Sequence, residues 1–451
     1  MFNIIVCCDK NNGISKNGII PWNNIDDLEY FKSKTINQVV IMGRKTWNSL
    51  PKSFIKTGIG LLDRINIVLS KSNKFIYKPQ YIYNDFDDAL EYAYSFGKQV
   101  YIIGGEQLYD QVIYHKDLGY IYMTKLNDDY QCDKYFKYDK FLDLKNLEIP
   151  IININNGSIY TLFMKNIKEE KYQLLLKDIL LNGNKVEDRT KTGILTLNSK
   201  QLQFDIRNTI PLCTLKKTPF TWIVKELLWI LSGSTNVKTL YDQGVSIWNA
   251  NTTREFLDDN GLNYFQQFDM GESYGFLMRH FGAEYKTCKT NYINKGTDQL
   301  INVINELKNN PHSRRHIISL WNPATINNMA LPPCLKEYQF FVNNNYLDCM
   351  ATLRSSDTFL ALLWNCTTVS LLTYIIGHLT GYKPGKITIN IGDAHIYNTH
   401  ISQVKELLTR IPRPFPHMIL KPFKNINELT VDHFQIQNYY PYPTIKAKMA
   451  V

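Results

Sequence analysis

Three arginine segments stand far apart along this chain: Asp188-Arg189-Thr190, Ser313-Arg314-Arg315 and Leu353-Arg354-Ser355. Forked guanidinium groups suit a dianionic phosphate, and segments so widely spaced serve one anion only if the chain between them folds around a common pocket. Among them lies the turn Leu331-Pro332-Pro333-Cys334. Most cysteines are small apolar core residues. One held on a rigid turn, with an arginine in reach to favour its thiolate, is instead a candidate nucleophile. Asn365 and the run Gly392-Asp393-Ala394-His395-Ile396-Tyr397 follow downstream.

At 451 residues the chain exceeds what one hydrophobic core usually holds, so two domains are expected. A hydrophobic content of 44% with 13% aromatic residues argues for a globular chain. An uninterrupted apolar run of membrane-spanning length is missing. Ile4-Ile5-Val6-Cys7-Cys8 meets Asp9 and Lys10 too soon for a secretory signal. The expected location is therefore cytoplasmic, with no membrane partner. Eight cysteines occur without a C-x-x-C pair, so reduced thiols and no metal site are expected. The formal charge of +10 is spread along the chain rather than gathered in a tail. Anionic small substrates account for it more economically than RNA, which stays a possible but unsupported partner.

Near the start, Ile4 to Cys8 reads as a buried strand, and Asp27, Tyr30 and Phe31 fall at helical spacing. Asp27 is either a solvated first-turn acid or an acid sharing a helix face with aromatics. Val39-Val40-Ile41-Met42 runs into Gly43-Arg44-Lys45-Thr46, and Val100-Tyr101-Ile102-Ile103 runs into Gly104-Gly105. Both read as strand-to-helix turns, where free backbone N–H groups receive phosphates. Each alone is equally a tight turn or an ordinary basic surface.

In order, these segments resemble dihydrofolate reductase over residues 1 to 165. The resemblance implies that Asp27 grips the pterin ring of dihydrofolate and supports its protonation, helped by Thr124. It also implies that Val6, Leu28 and Phe31 line the pocket and that Arg64 holds the folate tail. NADPH would lie along Gly43, Arg44, Lys45 and Thr46, Ser70 and Lys71, and Gly104 and Gly105. Arg44 and Lys45 favour NADPH over NADH, since a 2′-phosphate needs positive charge.

From Glu170 onward the ordered motifs resemble thymidylate synthase. That resemblance makes Cys334 the nucleophile toward dUMP, beside Arg354. It gives the phosphate to Arg189, Arg354 and Ser355, with Arg314 and Arg315 from a partner subunit, and so implies a homodimer through this domain. Asn365 would read the uracil edge, Asp357 would join the dUMP site, and His395 and Tyr397 would hold the sugar. Glu226 lies in the apolar run Trp222 to Leu231. Periodicity leaves it either on an exposed stripe or buried for a reason; the resemblance makes it catalytic, organising proton transfers with Tyr274. Methylenetetrahydrofolate would bind over Glu226, Trp248, Asn251, Asp357 and Leu360, closed in by Ala450.

Together the resemblances imply an α/β domain with a mostly parallel central sheet and flanking helices, residues 1–166. An α+β domain, residues 167–451, would follow. The Asn-rich stretch Ile151 to Asn156 reads as a loop. The pair of domains resembles the bifunctional dihydrofolate reductase-thymidylate synthase family.

Several positions depart from the synthase pattern. Leu335 stands where histidine is usual, Leu353 where glutamine is, and Met278 where tryptophan is. Ala361-Leu362-Leu363-Trp364-Asn365 replaces Gly-Val-Pro-Phe-Asn, so added volume at Ala361 and Trp364 is expected on the folate side. Two rival readings follow: a pyrimidine hydroxymethylase using the same cysteine, and a decayed synthase domain acting as a folate- and RNA-binding regulator. Asn365 argues against a cytosine substrate, for which this family tends to use aspartate.

Overall fold

The computed structural model describes residues 1–115, 117–137, 151–163, 167–188 and 192–449. The chain divides into two compact units, Met1–Ile167 and Lys168–Val451.

The strands of the first unit are β1 (Phe2–Cys8), β2 (Gly13–Ser15), β3 (Val39–Gly43), β4 (Ile65–Leu69), β5 (Tyr81–Tyr83), β6 (Val100–Ile102), β7 (Leu118–Leu126), β8 (Lys134–Tyr135), β9 (Ile151–Ile154) and β10 (Gly157–Phe163). Eight of them form one sheet in the order β5-β4-β3-β6-β1-β7-β10-β9. The pairings from β5 to β7 are parallel, and only β10 with β7 and β9 is antiparallel. Valine- and isoleucine-rich runs such as Val39-Val40-Ile41-Met42 suit this position because a parallel strand is covered on both faces. Alternation along β1 sends Phe2, Ile4, Val6 and Cys8 into the core against the helices Phe86–Tyr94 and Glu106–Val112. The opposite face takes the helix Ile25–Thr35, whose Tyr30 meets Tyr122 of β7.

One expectation is corrected here. Ile151 to Ile154 is not a loop but strand β9, paired antiparallel with β10. Its isoleucines favour extended backbone, and the asparagines supply the hairpin turn, with Asn156 in the left-handed region at φ 58°.

In the second unit the strands are β11 (Asn184–Val186), β12 (Ile194–Asp205), β13 (Ile317–Ser319), β14 (Leu335–Asn343), β15 (Tyr346–Asp357), β16 (Lys383–Tyr397), β17 (His417–Leu420) and β18 (Phe434–Gln437). The first six form a sheet in the order β11-β12-β16-β15-β14-β13, antiparallel except between β15 and β16. The helix Ile167–Asn182 buries Tyr172, Leu175, Leu176 and Ile179 at helical spacing. The helix Leu362–Thr380 is long and apolar enough to span a membrane, but most of it is buried inside this unit. It is the unit's central core helix. Its start is fixed by Asp357, whose Oδ1 accepts the backbone N–H groups of Phe359 at 2.9 Å and Leu360 at 3.1 Å.

Candidate active sites

In the first unit the helix Ile25–Thr35 begins at Asn24, whose side chain accepts the Asp27 backbone N–H at 3.0 Å. This cap places Asp27 in the first turn with its carboxyl turned inward. Burial holds that carboxyl above its usual range, and hydrogen bonds from Thr124 and Cys7 partly offset the effect. Cys7 and Thr124 are register partners across β1 and β7, so one cross-strand pair supplies both donors. Farther along the helix, the Arg64 guanidinium lies 5.6 Å from the Phe31 ring centre and its Nε donates to Thr35 Oγ1 at 2.8 Å. Leu28 is 54% exposed at the rim.

The strands β4, β3 and β6 are neighbours, so their C-terminal ends bring Ser70 and Lys71, Gly43 to Thr46, and Gly104-Gly105 to one edge of the sheet. Gly43 N–H donates to Gly104 O at 2.7 Å. Gly104 has φ 124°, a conformation that side chains rarely adopt, and a Cβ on Gly105 would meet Thr46 Oγ1 at 3.2 Å. Arg44 is tied to the Lys74 carbonyl at 2.9 Å, while Lys45 is exposed. Glycine-lined backbone at the carboxyl ends of adjacent parallel strands fits a dinucleotide.

In the second unit Cys334 sits on the proline turn just before β14. Arg354 Nη2 lies 3.8 Å from Cys334 Sγ and 3.1 Å from the Pro332 carbonyl, while its Nε donates to the Pro333 carbonyl at 2.9 Å. The guanidinium thus grips the turn that presents the thiol. Cys334 N–H donates to the Tyr274 hydroxyl at 2.8 Å, and burial pushes that hydroxyl well above its ordinary range.

Glu226 is only 6% exposed, so the helix Phe220–Leu231 turns it inward rather than onto a solvated stripe. Both of its oxygens are taken by indoles: Trp248 Nε1 donates to Oε1 at 2.8 Å and Trp364 Nε1 donates to Oε2 at 2.6 Å. Burial pushes the Glu226 carboxyl up to about 7, with the two indole hydrogen bonds pulling the other way. The Trp248 ring lies 6.0 Å from that of Tyr274, which links Glu226 to the cysteine turn.

On β15 and β16, Ser355 pairs with Asp393 and Asp357 with His395. His395 Nδ1 lies 2.7 Å from Asp393 Oδ1, and its ring meets Tyr397 edge-on at 5.1 Å. Asn365 lies in the first turn of the helix Leu362–Thr380, directly after Trp364.

Residues 170–451 match the thymidylate synthase family model, and residues 1–147 match that of dihydrofolate reductase. A bifunctional dihydrofolate reductase-thymidylate synthase of Paramecium tetraurelia is 36% identical, covering 100% of this chain and 99% of its own length. The corresponding proteins of Arabidopsis thaliana (bifunctional dihydrofolate reductase-thymidylate synthase 2) and Leishmania amazonensis are 34% and 32% identical, each covering 100% of this chain and 88% and 95% of their own.

The chain belongs to the bifunctional dihydrofolate reductase-thymidylate synthases. It is an enzyme with an oxidoreductase activity and a methyltransferase activity.

Within this reductase-synthase the structure gathers Asp27 and Phe31 of one helix with Thr124 of β7, and Arg64, just before β4, meets that helix at Phe31 and Thr35. It gathers Cys334, Arg354 and Tyr274 around one turn, and Glu226 with Trp248. Val6 is turned to the opposite face of β1 from Cys7, into the core beside Ile4 and Cys8, so Cys7 rather than Val6 stands beside the Asp27 carboxyl. Asn251 is buried, and Arg314 and Arg315 are exposed on the segment before β13. Arg189 and Ala450 lie outside the described residues.

Two functional neighbours were missed by sequence reasoning. Cys7 was legible in principle, because alternation on β1 opposes it to Val6. Trp364 was read as added volume toward the folate; its indole N–H points instead at Glu226.

Proposed function

We propose that the synthase unit transfers a one-carbon unit from methylenetetrahydrofolate to dUMP, and that the reductase unit returns the dihydrofolate product to tetrahydrofolate with NADPH. The observation that carries this reading is the Arg354 guanidinium 3.8 Å from Cys334 Sγ on a turn also held by Tyr274.

In the synthase reaction Cys334 attacks the pyrimidine ring beside the carbon to be methylated, since that carbon is a poor nucleophile until something adds next to it. Arg354 favours the thiolate and, with Arg189 and Ser355, binds the phosphate. Arg314 and Arg315 reach the phosphate of a partner subunit's site in a homodimer, which suits their exposure here. Asn365 donates to and accepts from the uracil edge. His395, oriented by Asp393, and Tyr397 take the sugar hydroxyl. Glu226 and Tyr274 handle the protons. Trp248, Asn251, Asp357 and Leu360 form the folate wall, closed by Ala450 against water.

In the reductase reaction NADPH supplies the hydride when bound along Gly43 to Thr46, Ser70, Lys71 and Gly104-Gly105. Asp27 grips the pterin and supports its protonation, assisted by Thr124. Its raised range, caused by burial, keeps a proton available nearer neutral pH than an ordinary aspartate does. Leu28 and Phe31 pack the folate, and Arg64 pairs with its tail carboxylate. The enzyme acts in the cytoplasm, in keeping with eight unpaired cysteines.

An anaerobic assay of the whole chain tests both halves. With dUMP and methylenetetrahydrofolate, dTMP forms first; added NADPH is then consumed in proportion to the dTMP made. Reduction of added dihydrofolate without any dTMP would refute the synthase reading.

A further inference from the structure

Two indole N–H groups hold the two oxygens of one buried carboxylate. Glu226 comes from the helix Phe220–Leu231, Trp248 from the segment after the helix Val237–Tyr241, and Trp364 from the first turn of the helix Leu362–Thr380. An indole is a donor only. With Trp248 on Oε1 and Trp364 on Oε2, each oxygen has one lone pair engaged by an N–H group and one left to take a proton. The arrangement therefore fixes the rotamer of the carboxylate and favours its ionised form, against the burial that opposes charge.

We propose that Trp364 is a positioning residue of the synthase reaction: its N–H, paired with that of Trp248, orients Glu226 and stabilises its ionised, proton-accepting form against burial. The proposal rests on reading Glu226 as the proton-handling carboxylate. Phenylalanine, usual at this position in the synthase pattern, offers the same kind of ring without the donor. Leu335 and Leu353, where the pattern has histidine and glutamine, contribute no side-chain donors here. Trp364 thus adds a hydrogen bond to the carboxylate in a site from which two polar side chains are gone.

The titratable groups that face Glu226, among the described residues, are Tyr274 from the helix Tyr274–His280 and Tyr338 from β14. Beyond Tyr274 lies Cys334. Burial pushes both tyrosine hydroxyls far above the neutral range, so neither tyrosine changes charge near pH 7. A shift of the profile on removing the Trp364 N–H reports on Glu226, because that N–H bonds Glu226 and not Cys334.

The test is Trp364→Phe in the whole chain, with synthase kcat measured from about pH 5.5 to about pH 9. Loss of one hydrogen bond to the charged form moves the acid limb up by about one pH unit. Synthase kcat then falls about tenfold on that limb and stays within about twofold at the alkaline end, with KM for dUMP little changed. Dihydrofolate reduction by the same preparation is the internal control. An unshifted profile, whether kcat is preserved or lowered equally at every pH, overturns the proposal.

A second measurement needs no substitution. In the native enzyme with isotope-labelled tryptophan, two of the seven indole N–H resonances should titrate together, with the midpoint of the synthase acid limb. Titration of one resonance or none overturns the proposal. Glu226→Gln separates the two levels: retained methylation in that variant refutes the reading of Glu226, whereas its loss beside an unshifted Trp364→Phe profile refutes only the role of Trp364.

Discussion

Leu335 and Leu353 are register partners across β14 and β15, Leu335 directly after Cys334, and they are 4% and 0% exposed. The synthase pattern has histidine and glutamine at these two positions, so two polar side chains are replaced by an apolar pair in direct register. Neighbours on one face of an antiparallel pair interact directly, so a polar side chain at one position meets the other.

This coupling is measurable. Leu335→His alone sets a polar ring against Leu353 without a partner and should destabilise the synthase unit by about 1–3 kcal/mol. Adding Leu353→Gln should restore part of the loss, with a coupling of at least about 0.5 kcal/mol. Calorimetric melting of the two single variants and the double variant checks it; simple addition of the two losses would show that the pair is not coupled.

Cys334→Ala should lower dTMP formation by at least about 10⁴-fold, since removal of a nucleophile that acts as part of a unit costs rates of that order. Dihydrofolate reduction should be unchanged. Asp27→Asn should do the converse. Loss of both activities in either variant would contradict two separate sites.

Thr124→Val removes a donor that favours the ionised Asp27 carboxyl. Its range, already raised by burial, should rise further. The pH at which the reductase rate changes with Asp27 ionisation should therefore move upward, and Cys7→Ala should shift it in the same direction. Steady-state reduction rates across pH test this, and a downward shift would refute the placement of these donors.

Glu169 is fully buried, and burial pushes its carboxyl up to about 7 although Thr214 donates to it from both backbone and hydroxyl. Its folded value lies above its unfolded value of 4.5. The native state therefore binds the extra proton between those values, and stability falls as pH rises through that window, remaining lower above it. Glu169→Gln should abolish this loss and stabilise the synthase unit above pH 7 by up to about 3 kcal/mol. Melting temperatures at acidic and alkaline pH check it: equal shifts at both would refute the linkage.

Much of the organisation was legible because it rests on local rules. The runs Val39 to Met42 and Val100 to Ile102 form strands that end at glycine turns, and Tyr172, Leu175 and Ile179 mark a buried helix face. Ile151 to Ile154 was not legible as a strand, because its pairing with β10 is a contact across a turn and its asparagines resemble a loop. Glu226 was undecided for a similar reason: one acid in an apolar helix does not state which way it faces.

The sequence by itself determined which chemistry is available: a cysteine on a proline turn, separated arginines, an acid in a helix's first turn, and glycines where strands end. Those follow from side-chain type and short-range spacing. Tertiary structure alone decided what each group meets. It set Cys7 and Thr124 on Asp27, Leu335 against Leu353, and two indole N–H groups on Glu226. Trp364 and Glu226 lie on different helices, and no local preference encodes that meeting. Hydrogen bonds between distant segments depend on how the core packs, and packing fixes directions that spacing leaves open.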